Sequence, residues 1–259
     1  MSVRQRLKAV FVIGAMFGLS ACGGTVVDPS LFNSEIEQLV EDENIYGRVY
    51  ASLKEHRPSL FVDYHNITLE AYLEGYSAQD ATNIAGLQLQ SSLRNELLKL
   101  AKVASDDDVR EMIKVTIAGF EHLNKEDATD CARSIDGLPL ETVTSFPREL
   151  RQQELALLLK LLNAPQSVAN RRAASQKEVS NWMNNVATLE PMVALMLTRQ
   201  ANDERTGAQD KEYCEGTIEL YKRLSYKKGA SRGTLYRGLA LMSLQQRLFH
   251  RNTTTEDAA

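Results

Sequence analysis

Apolar residues recur at intervals of three and four along almost the whole chain after residue 34, and this spacing restricts the fold more than any other feature. The clearest run follows Ser105, where four apolar residues are separated by four, four and three positions: Val109, Ile113, Ile117 and Phe120. Such spacing places the side chains on one face of an α-helix. No convincing pair of alternating, strand-like segments accompanies it. The periodicity therefore predicts an all-α protein.

Capping residues divide this periodic sequence into separate helices. Ser34, Ser105 and Ser175 each precede a periodic run, and each is followed by acidic residues within the first turn. A serine hydroxyl accepts a hydrogen bond from the first turn of a helix, and acids there favour the positive end of the helix dipole. Ser175 with Glu178 has the spacing of a capping box. These positions are predicted helix starts.

Prolines and one glycine mark the predicted helix ends. Pro58 and Pro165 end periodic runs, Pro191 kinks or splits another, and Asp136-Gly137 marks a turn. The count is then about eight or nine helices with one disulfide. The sequence shows no fixed-period repeat, so we expect an irregular multi-helix bundle or an array of helical hairpins.

The first 21 residues have the composition of an export signal. Residues 1–8 contain three bases and no acid, and residues 9–19 form an uncharged apolar run. A basic segment before an apolar run of this length is typical of a signal peptide. The run is shorter than the roughly 20 apolar residues that a transmembrane helix needs. We therefore expect an exported protein.

A cysteine follows this apolar run after two small residues. The order is Leu19, Ser20, Ala21, Cys22. This segment resembles the lipobox of bacterial lipoprotein precursors, which reads leucine, small, small, cysteine. The resemblance implies that the first three residues are recognition residues and that Cys22 becomes the acylated amino terminus. It covers less than a tenth of the chain, and the alternative is an ordinary secretory signal with a chance cysteine.

The lipobox resemblance implies a protein that is anchored to a membrane and does not cross it. Each buried methylene contributes about 0.8 kcal/mol, so two or more acyl chains bind stably. Gly23 follows the cysteine, where an aspartate in Gram-negative relatives favours retention at the inner membrane. The resemblance therefore implies the outer membrane, with the body of the protein in the periplasm.

Four segments follow from these observations. They are a signal peptide (1–21), an acylated cysteine with its linker (22–33), a helical domain (34–251) and a disordered tail (252–259). The linker contains Gly, Pro and Asp, and fully extended it reaches only about 40 Å. We therefore expect the body to lie close to its membrane.

Cys131 and Cys214 are the two cysteines that remain after Cys22. An exported chain meets an oxidising compartment, so the simplest prediction is a disulfide between them. It would close a loop of about 84 residues, which the chain-entropy model values at about 4–5 kcal/mol. The alternatives are two free buried thiols or a metal pair, although no histidine or further cysteine lies near either at zinc-like spacing.

Charge is unevenly distributed. Removal of residues 1–21 changes the net charge from −4 to −7, which argues against nucleic acid as a partner because phosphate binding needs a basic surface. Residues 34–80 contain ten acids and three bases, whereas residues 220–255 contain eight bases and no acid. The second segment includes the residues of a candidate basic surface: Lys222, Arg223, Lys227 and Lys228.

Two interpretations of this asymmetry stay open. The two oppositely charged segments attract each other within the fold, or each is a solvated face. Alternatively, the basic segment faces anionic headgroups or another acidic partner, with each base near such a surface contributing roughly 1 kcal/mol.

Residue patterns of catalytic and cofactor sites are missing. The sequence contains no Gly-x-Ser-x-Gly elbow, no phosphate-binding loop and no zinc-protease signature. His122 and Glu126 share a helical face, but a solvated pair explains them more simply than a metal site. A helical sugar hydrolase could use a single acid, and the candidates considered are Glu70, Glu74 and Glu121. No sequence pattern distinguishes them from other acidic residues. We predict no catalytic residue, metal or cofactor.

Together these observations predict a noncatalytic lipoprotein that binds another cell-envelope protein, of the assembly, secretion-accessory or immunity type. An exposed apolar patch or a groove between helices would support this prediction. One alternative is a helical envelope hydrolase acting on cell-wall glycan, which needs a deep cleft with a perturbed carboxylate. The other is a lipid or small-ligand carrier, which needs a closed apolar cavity. The oligomeric state stays open.

Overall fold

The computed structural model of the chain describes residues 28, 30–138, 147–164, 170–200 and 205–256, with no side chains described at 200 and 246–256. Within these ranges the secondary structure is entirely α-helical, as predicted. The predictions made on the signal peptide, on Leu19, Ser20, Ala21 and Cys22, and on most of the linker lie outside the described residues. None of the described helices is both long enough and apolar enough to cross a membrane.

Twelve helices are described. Six lie in the first half of the chain: α1 (Leu31–Glu41), α2 (Ile45–His56), α3 (Pro58–Leu73), α4 (Ala78–Gln88), α5 (Gln90–Leu100) and α6 (Asp106–Glu126). Six follow: α7 (Ala128–Asp136), α8 (Arg148–Leu162), α9 (Gln176–Ala187), α10 (Pro191–Gln200), α11 (Gly207–Ser225) and α12 (Gly229–Glu256).

The predicted count of eight or nine helices is wrong. Several helices end and restart within segments whose apolar spacing continues without interruption. Between α1 and α2 the backbone of Glu43 has a positive φ of 53°, and the Asn44 side chain then accepts a hydrogen bond from the Tyr46 amide. The break between α4 and α5 is different, because Leu89 has φ of −99° and ψ of 14° and makes no side-chain cap. Asp127 ends α6 and caps α7 through the Thr129 amide.

The strongest capping signals are confirmed. Ser105 and Ser175 each form a capping box, with Asp108 and Glu178 respectively. Gly137 ends α7 in the left-handed conformation, with φ of 76°, a conformation that residues with a Cβ rarely adopt. Ser34 is different, because it lies inside α1 and its hydroxyl donates to the carbonyl of Leu31.

One large apolar core receives buried side chains from all twelve helices. A smaller cluster surrounds Cys131 on α7 and Cys214 on α11, both fully buried. Their Cα atoms are 5.9 Å apart, and the pair lies at disulfide-bonding distance. The prediction that these two cysteines meet is thus confirmed, and they connect the middle of the chain to its C-terminal part.

Candidate functional site

The outward face of α3 carries apolar side chains that the fold leaves uncovered. Val62 and Leu73 are 55% and 48% exposed, and Leu69 between them is half-buried. These positions differ by seven and four residues, so the three side chains follow one line along the helix surface. We term this line the apolar row of α3.

Three carboxylates run parallel to the apolar row. Asp63, Glu70 and Glu74 each come one position after a residue of the apolar row, and all three are exposed. One residue corresponds to a rotation of about 100° around an α-helix, so the carboxylates form a second line beside the first. In the described part of the chain none of the three forms an ion pair. We term this line the acidic row.

The opposite face of α3 holds the helix firmly in the core. Tyr64 is fully buried, and its hydroxyl donates to the Thr82 carbonyl on α4 at 2.8 Å. Thr68, also fully buried, donates to the Tyr64 carbonyl at 2.7 Å. A helix that is apolar on all sides is normally covered on all sides. One face of α3 is therefore fixed in the core, while its outward face carries an apolar row that is exposed and available to a partner.

Helix α1, which follows the N-terminal linker, contacts the buried face of α3. The ring of Phe32 on α1 packs against Tyr72 of α3 at a centroid distance of 5.2 Å. The Tyr72 hydroxyl donates to a carboxylate oxygen of Glu35 at 2.9 Å. Leu31, the first residue of α1, is 51% exposed, and Tyr76, just after α3, is 49% exposed. Tyr76 comes three positions after Leu73 and therefore lies near the C-terminal end of the apolar row.

A half-buried histidine supports the N-terminal half of α3. His65 packs against Phe32 and Phe61, and its Nδ1 atom contacts the Tyr50 hydroxyl. Burial lowers the pKa of His65, and the positive charge of Lys54 adds to this effect. Burial raises the pKa of Tyr50 to about 12. The tyrosine hydroxyl therefore stays protonated at neutral pH.

The predicted basic surface divides into two parts. Lys222 forms an ion pair with Glu121 of α6 at 2.7 Å, and this hydrogen bond raises the pKa of Lys222. Arg223 pairs with Glu190 and with Glu219. Lys227 and Lys228 are exposed in the turn between α11 and α12.

A further base of the same segment, Arg237 on α12, is buried rather than at the surface. Its guanidinium donates to the carbonyls of Ala101 and Ala104 and to a carboxylate oxygen of Asp106. This arrangement ties α12 to the junction of α5 and α6. None of the acidic partners of Lys222, Arg223 and Arg237 belongs to residues 34–80, so these pairs do not join the two charged segments.

The three glutamates considered as residues of a hydrolase lie in two separate parts of the structure. Glu70 and Glu74 belong to the acidic row, whereas Glu121 pairs with Lys222. Among the described residues, no group of three or more His, Cys, Asp or Glu side chains is arranged to hold a metal ion.

The outward rows of α3 were not predicted from the sequence. The signal that could have revealed the rows is the repeated spacing of seven and four, present in both apolar and acidic residues. No protein-family model matches the chain, and neither a curated protein nor a solved structure matches it.

Proposed function

We propose that the chain is a noncatalytic, membrane-anchored lipoprotein that binds another protein of the cell envelope through the outward face of α3. The observation that carries this proposal is the pair of parallel rows, one apolar and one acidic, on a helix whose opposite face is fixed in the core. Helix α1, which follows the N-terminal linker, contacts α3 through Phe32 and Tyr72.

The apolar row supplies a gain in free energy on association. Full burial of a Val or Leu side chain contributes about 1.5–3 kcal/mol relative to an exposed one. A partner helix or groove that reads positions seven and four residues apart would cover Val62, Leu69 and Leu73 together. Tyr76, which is close to Leu73 along the chain, would enlarge the same contact.

The acidic row selects the chemistry of the partner. Unpaired carboxylates beside an apolar contact favour a partner whose own apolar strip is bordered by lysine or arginine. The same carboxylates would be repelled by anionic lipid headgroups. A basic protein surface, rather than the membrane itself, is therefore the occupant that fits this face.

The predicted anchor would keep this face close to a membrane. Eight residues separate Cys22 from Leu31. At full extension they span about 30 Å. A lipid-modified Cys22, expected from the lipobox at the outer membrane, would therefore restrict the partner to proteins at the periplasmic surface of that membrane. Assembly accessories, secretion accessories and immunity proteins are such binding lipoproteins.

Two finer features of the body belong to the same proposal. We infer a closed disulfide between Cys131 and Cys214, because an oxidising periplasm would meet two sulfurs already at bonding distance. We also infer the irregular bundle rather than the hairpin array, because α2 packs on α8 and α11 packs on α6, although neither pair is adjacent in sequence.

Photo-crosslinking tests the binding face directly. A crosslinking amino acid at position 62 or 73 in the full chain, expressed in its native cells, should capture one protein in stoichiometric amount. The matched control is position 189, because Leu189 is 78% exposed and lies far along the chain between α9 and α10. Charge reversal of the acidic row (Asp63→Lys, Glu70→Lys and Glu74→Lys) should abolish capture. Equal capture from position 189, capture of lipid alone, or capture that survives charge reversal would contradict the proposal.

Membrane fractionation tests the anchor separately. Cys22→Ser should move the protein from the membrane fraction to the soluble fraction, because the lipobox resemblance assigns the acyl chains to Cys22 alone. A variant that stays membrane-bound would show that the anchor is wrong, whatever the crosslinking result.

A further inference from the structure

An exposed segment without any acidic residue connects α11 to α12. Its residues, 226–231, are all exposed, and we term this segment the basic turn. The backbone of Gly229 has φ of 55°, and a Cβ atom added to this glycine would meet no atom within 4 Å. The basic turn is therefore accessible to a partner along its whole length.

The basic turn carries positive charge that the fold does not compensate. Within the described residues, Lys227 and Lys228 form no ion pair. Arg232, the next base, donates through Nη1 to the Lys227 carbonyl at 3.2 Å and has no carboxylate partner in the described part of the chain. Lys222 and Arg223 differ, because both pair with carboxylates of the body. The uncompensated charge at this end of α11 therefore lies in and just after the basic turn.

Two strongly exposed apolar side chains accompany these charges. Tyr226 is 71% exposed and Leu189 is 78% exposed. The ion pair between Arg223 and Glu190 holds the start of α10 against the end of α11. Leu189 immediately precedes Glu190, and Tyr226 comes three positions after Arg223, about one helical turn further on. Both apolar side chains therefore lie at the same end of the α10–α11 pair.

The chemistry of this surface fits an anionic phospholipid bilayer. A tyrosine can place its ring among the acyl chains while its hydroxyl stays in water, and lysine can bury its methylene stem while its ammonium group reaches the headgroups. Two apolar side chains are far fewer than the roughly 20–30 residues that each partner contributes to a standard protein interface. We propose that the basic turn docks on anionic phospholipid headgroups, with Tyr226 and Leu189 inserted between them and Lys227 and Lys228 on the phosphates.

This contact would orient the body at the membrane. The acidic row of α3 is repelled by anionic headgroups, whereas the basic turn is attracted to them. The two surfaces therefore respond to the same bilayer in opposite ways, and docking of the basic turn leaves the α3 face for a protein partner. The basic turn does not require the acyl anchor, although an anchored chain would dock more readily because its local lipid concentration is higher.

Brominated lipids provide a direct test, because they quench a tryptophan that reaches the acyl chains. Tyr226→Trp introduces this reporter into the basic turn. Tyr76→Trp is the matched control, because Tyr76 is also an exposed tyrosine but follows the acidic row. The native Trp182 is buried and gives a constant background. The full chain would be mixed with brominated vesicles of phosphatidylcholine alone, or of phosphatidylcholine with phosphatidylglycerol, at several lipid concentrations.

Quenching should depend on both position and lipid charge. With phosphatidylglycerol present, it should be at least about threefold stronger for Tyr226→Trp than for Tyr76→Trp. The difference should disappear on phosphatidylcholine alone and at high salt, which screens the attraction. Equal quenching at the two positions, or the same difference on neutral and anionic vesicles, would overturn the proposal.

Neutral substitutions separate charge from shape. Lys227→Gln with Lys228→Gln should lower the ratio of docked to undocked turn about 25-fold, since each base near an anionic surface strengthens binding about fivefold. Lys54→Gln with Lys114→Gln removes the same charge from exposed positions on α2 and α6 and should leave this ratio unchanged. Equal effects of the two pairs would show that only the overall charge matters, and would contradict a specific basic turn.

Crosslinking in native cells distinguishes lipid from protein as the occupant. A photo-crosslinking amino acid at position 226 should capture phospholipid, whereas capture of an acidic protein or of a second copy of this chain would overturn the proposal. The anchor is measured separately, by flotation of the chain with phosphatidylcholine vesicles. A chain that does not float lacks its acyl chains, but the comparison of positions 226 and 76 at high concentrations of anionic lipid still decides the role of the basic turn.

Discussion

The outward face of α3 and the contact between α7 and α11 use similar residue types in opposite ways. On α3, three carboxylates and an apolar row face outward. At the α7–α11 contact, the carboxylates of Asp136 and Asp210 are buried and both pair with Arg205. The Tyr213 hydroxyl donates to Asp136 at 3.1 Å, and the Arg205 guanidinium lies 4.3 Å from the centroid of the Tyr213 ring.

The difference shows where this protein stabilises itself and where it leaves interactions for another molecule. Buried charges at the α7–α11 contact require partners within the chain, because an unpaired buried charge is strongly unfavourable. Exposed charges on α3 need no such partner, because water solvates them. Substitutions in the two regions should therefore separate stability from binding.

Loss of the cysteine pair should give the largest loss of stability. Cys131→Ala with Cys214→Ala removes the inferred crosslink between α7 and α11, which the chain-entropy model values at about 4–5 kcal/mol. Urea denaturation of the variant and of the wild-type chain measures this loss. Reducing agent should destabilise the wild type by a similar amount and leave the variant unchanged. A thiol assay that detects free Cys131 and Cys214 in the unfolded, unreduced protein would end the disulfide proposal.

Loss of Arg205 should be the next largest effect. Arg205→Met keeps much of the side-chain volume but leaves two buried carboxylates without their cation, which should cost about 3–5 kcal/mol. Glu70→Gln in the acidic row is the control and should change the free energy of unfolding by less than about 0.5 kcal/mol. If both variants lose similar stability in urea denaturation, the contrast between the two regions does not hold.

Titration of His65 should produce a smaller, pH-dependent effect at the base of α3. The pKa of His65 is lowered in the folded chain, so on acidification the unfolded chain takes up a proton before the folded chain does. The contribution of neutral His65 to the free energy of unfolding is complete above the ordinary histidine pKa of about 6.5. This contribution is lost as the pH falls from there towards the pKa of His65 in the folded chain. His65→Phe keeps a ring against Phe32 and Phe61, and should flatten this part of the stability–pH curve. An unchanged slope between the two proteins would exclude this role.

Substitution within the apolar row should have the smallest effect on stability. Leu73→Ser replaces a side chain that is already 48% exposed, so the free energy of unfolding should change by at most about 0.5 kcal/mol. The same variant should lose most of the partner captured from position 62. A large loss of stability would place Leu73 in the core instead, and undiminished capture would exclude it from the binding face.

Several features were accessible from the sequence because they are encoded within a few neighbouring residues. The all-helical class follows from spacing, and the caps at Ser105 and Ser175 follow from a hydroxyl and a carboxylate three positions apart. The helix breaks at Asn44 and Leu89 were missed because apolar spacing continues across them. Local propensity resolves such short interruptions poorly.

The amino-acid sequence by itself determined the helical class and the main helix boundaries, since hydrogen bonding within one turn and apolar periodicity are local properties. Only the tertiary structure decided which face of α3 is covered and which acids acquire a cation. Those outcomes depend on contacts between residues far apart in the chain. Arg205, for example, reaches Asp136 across 69 positions.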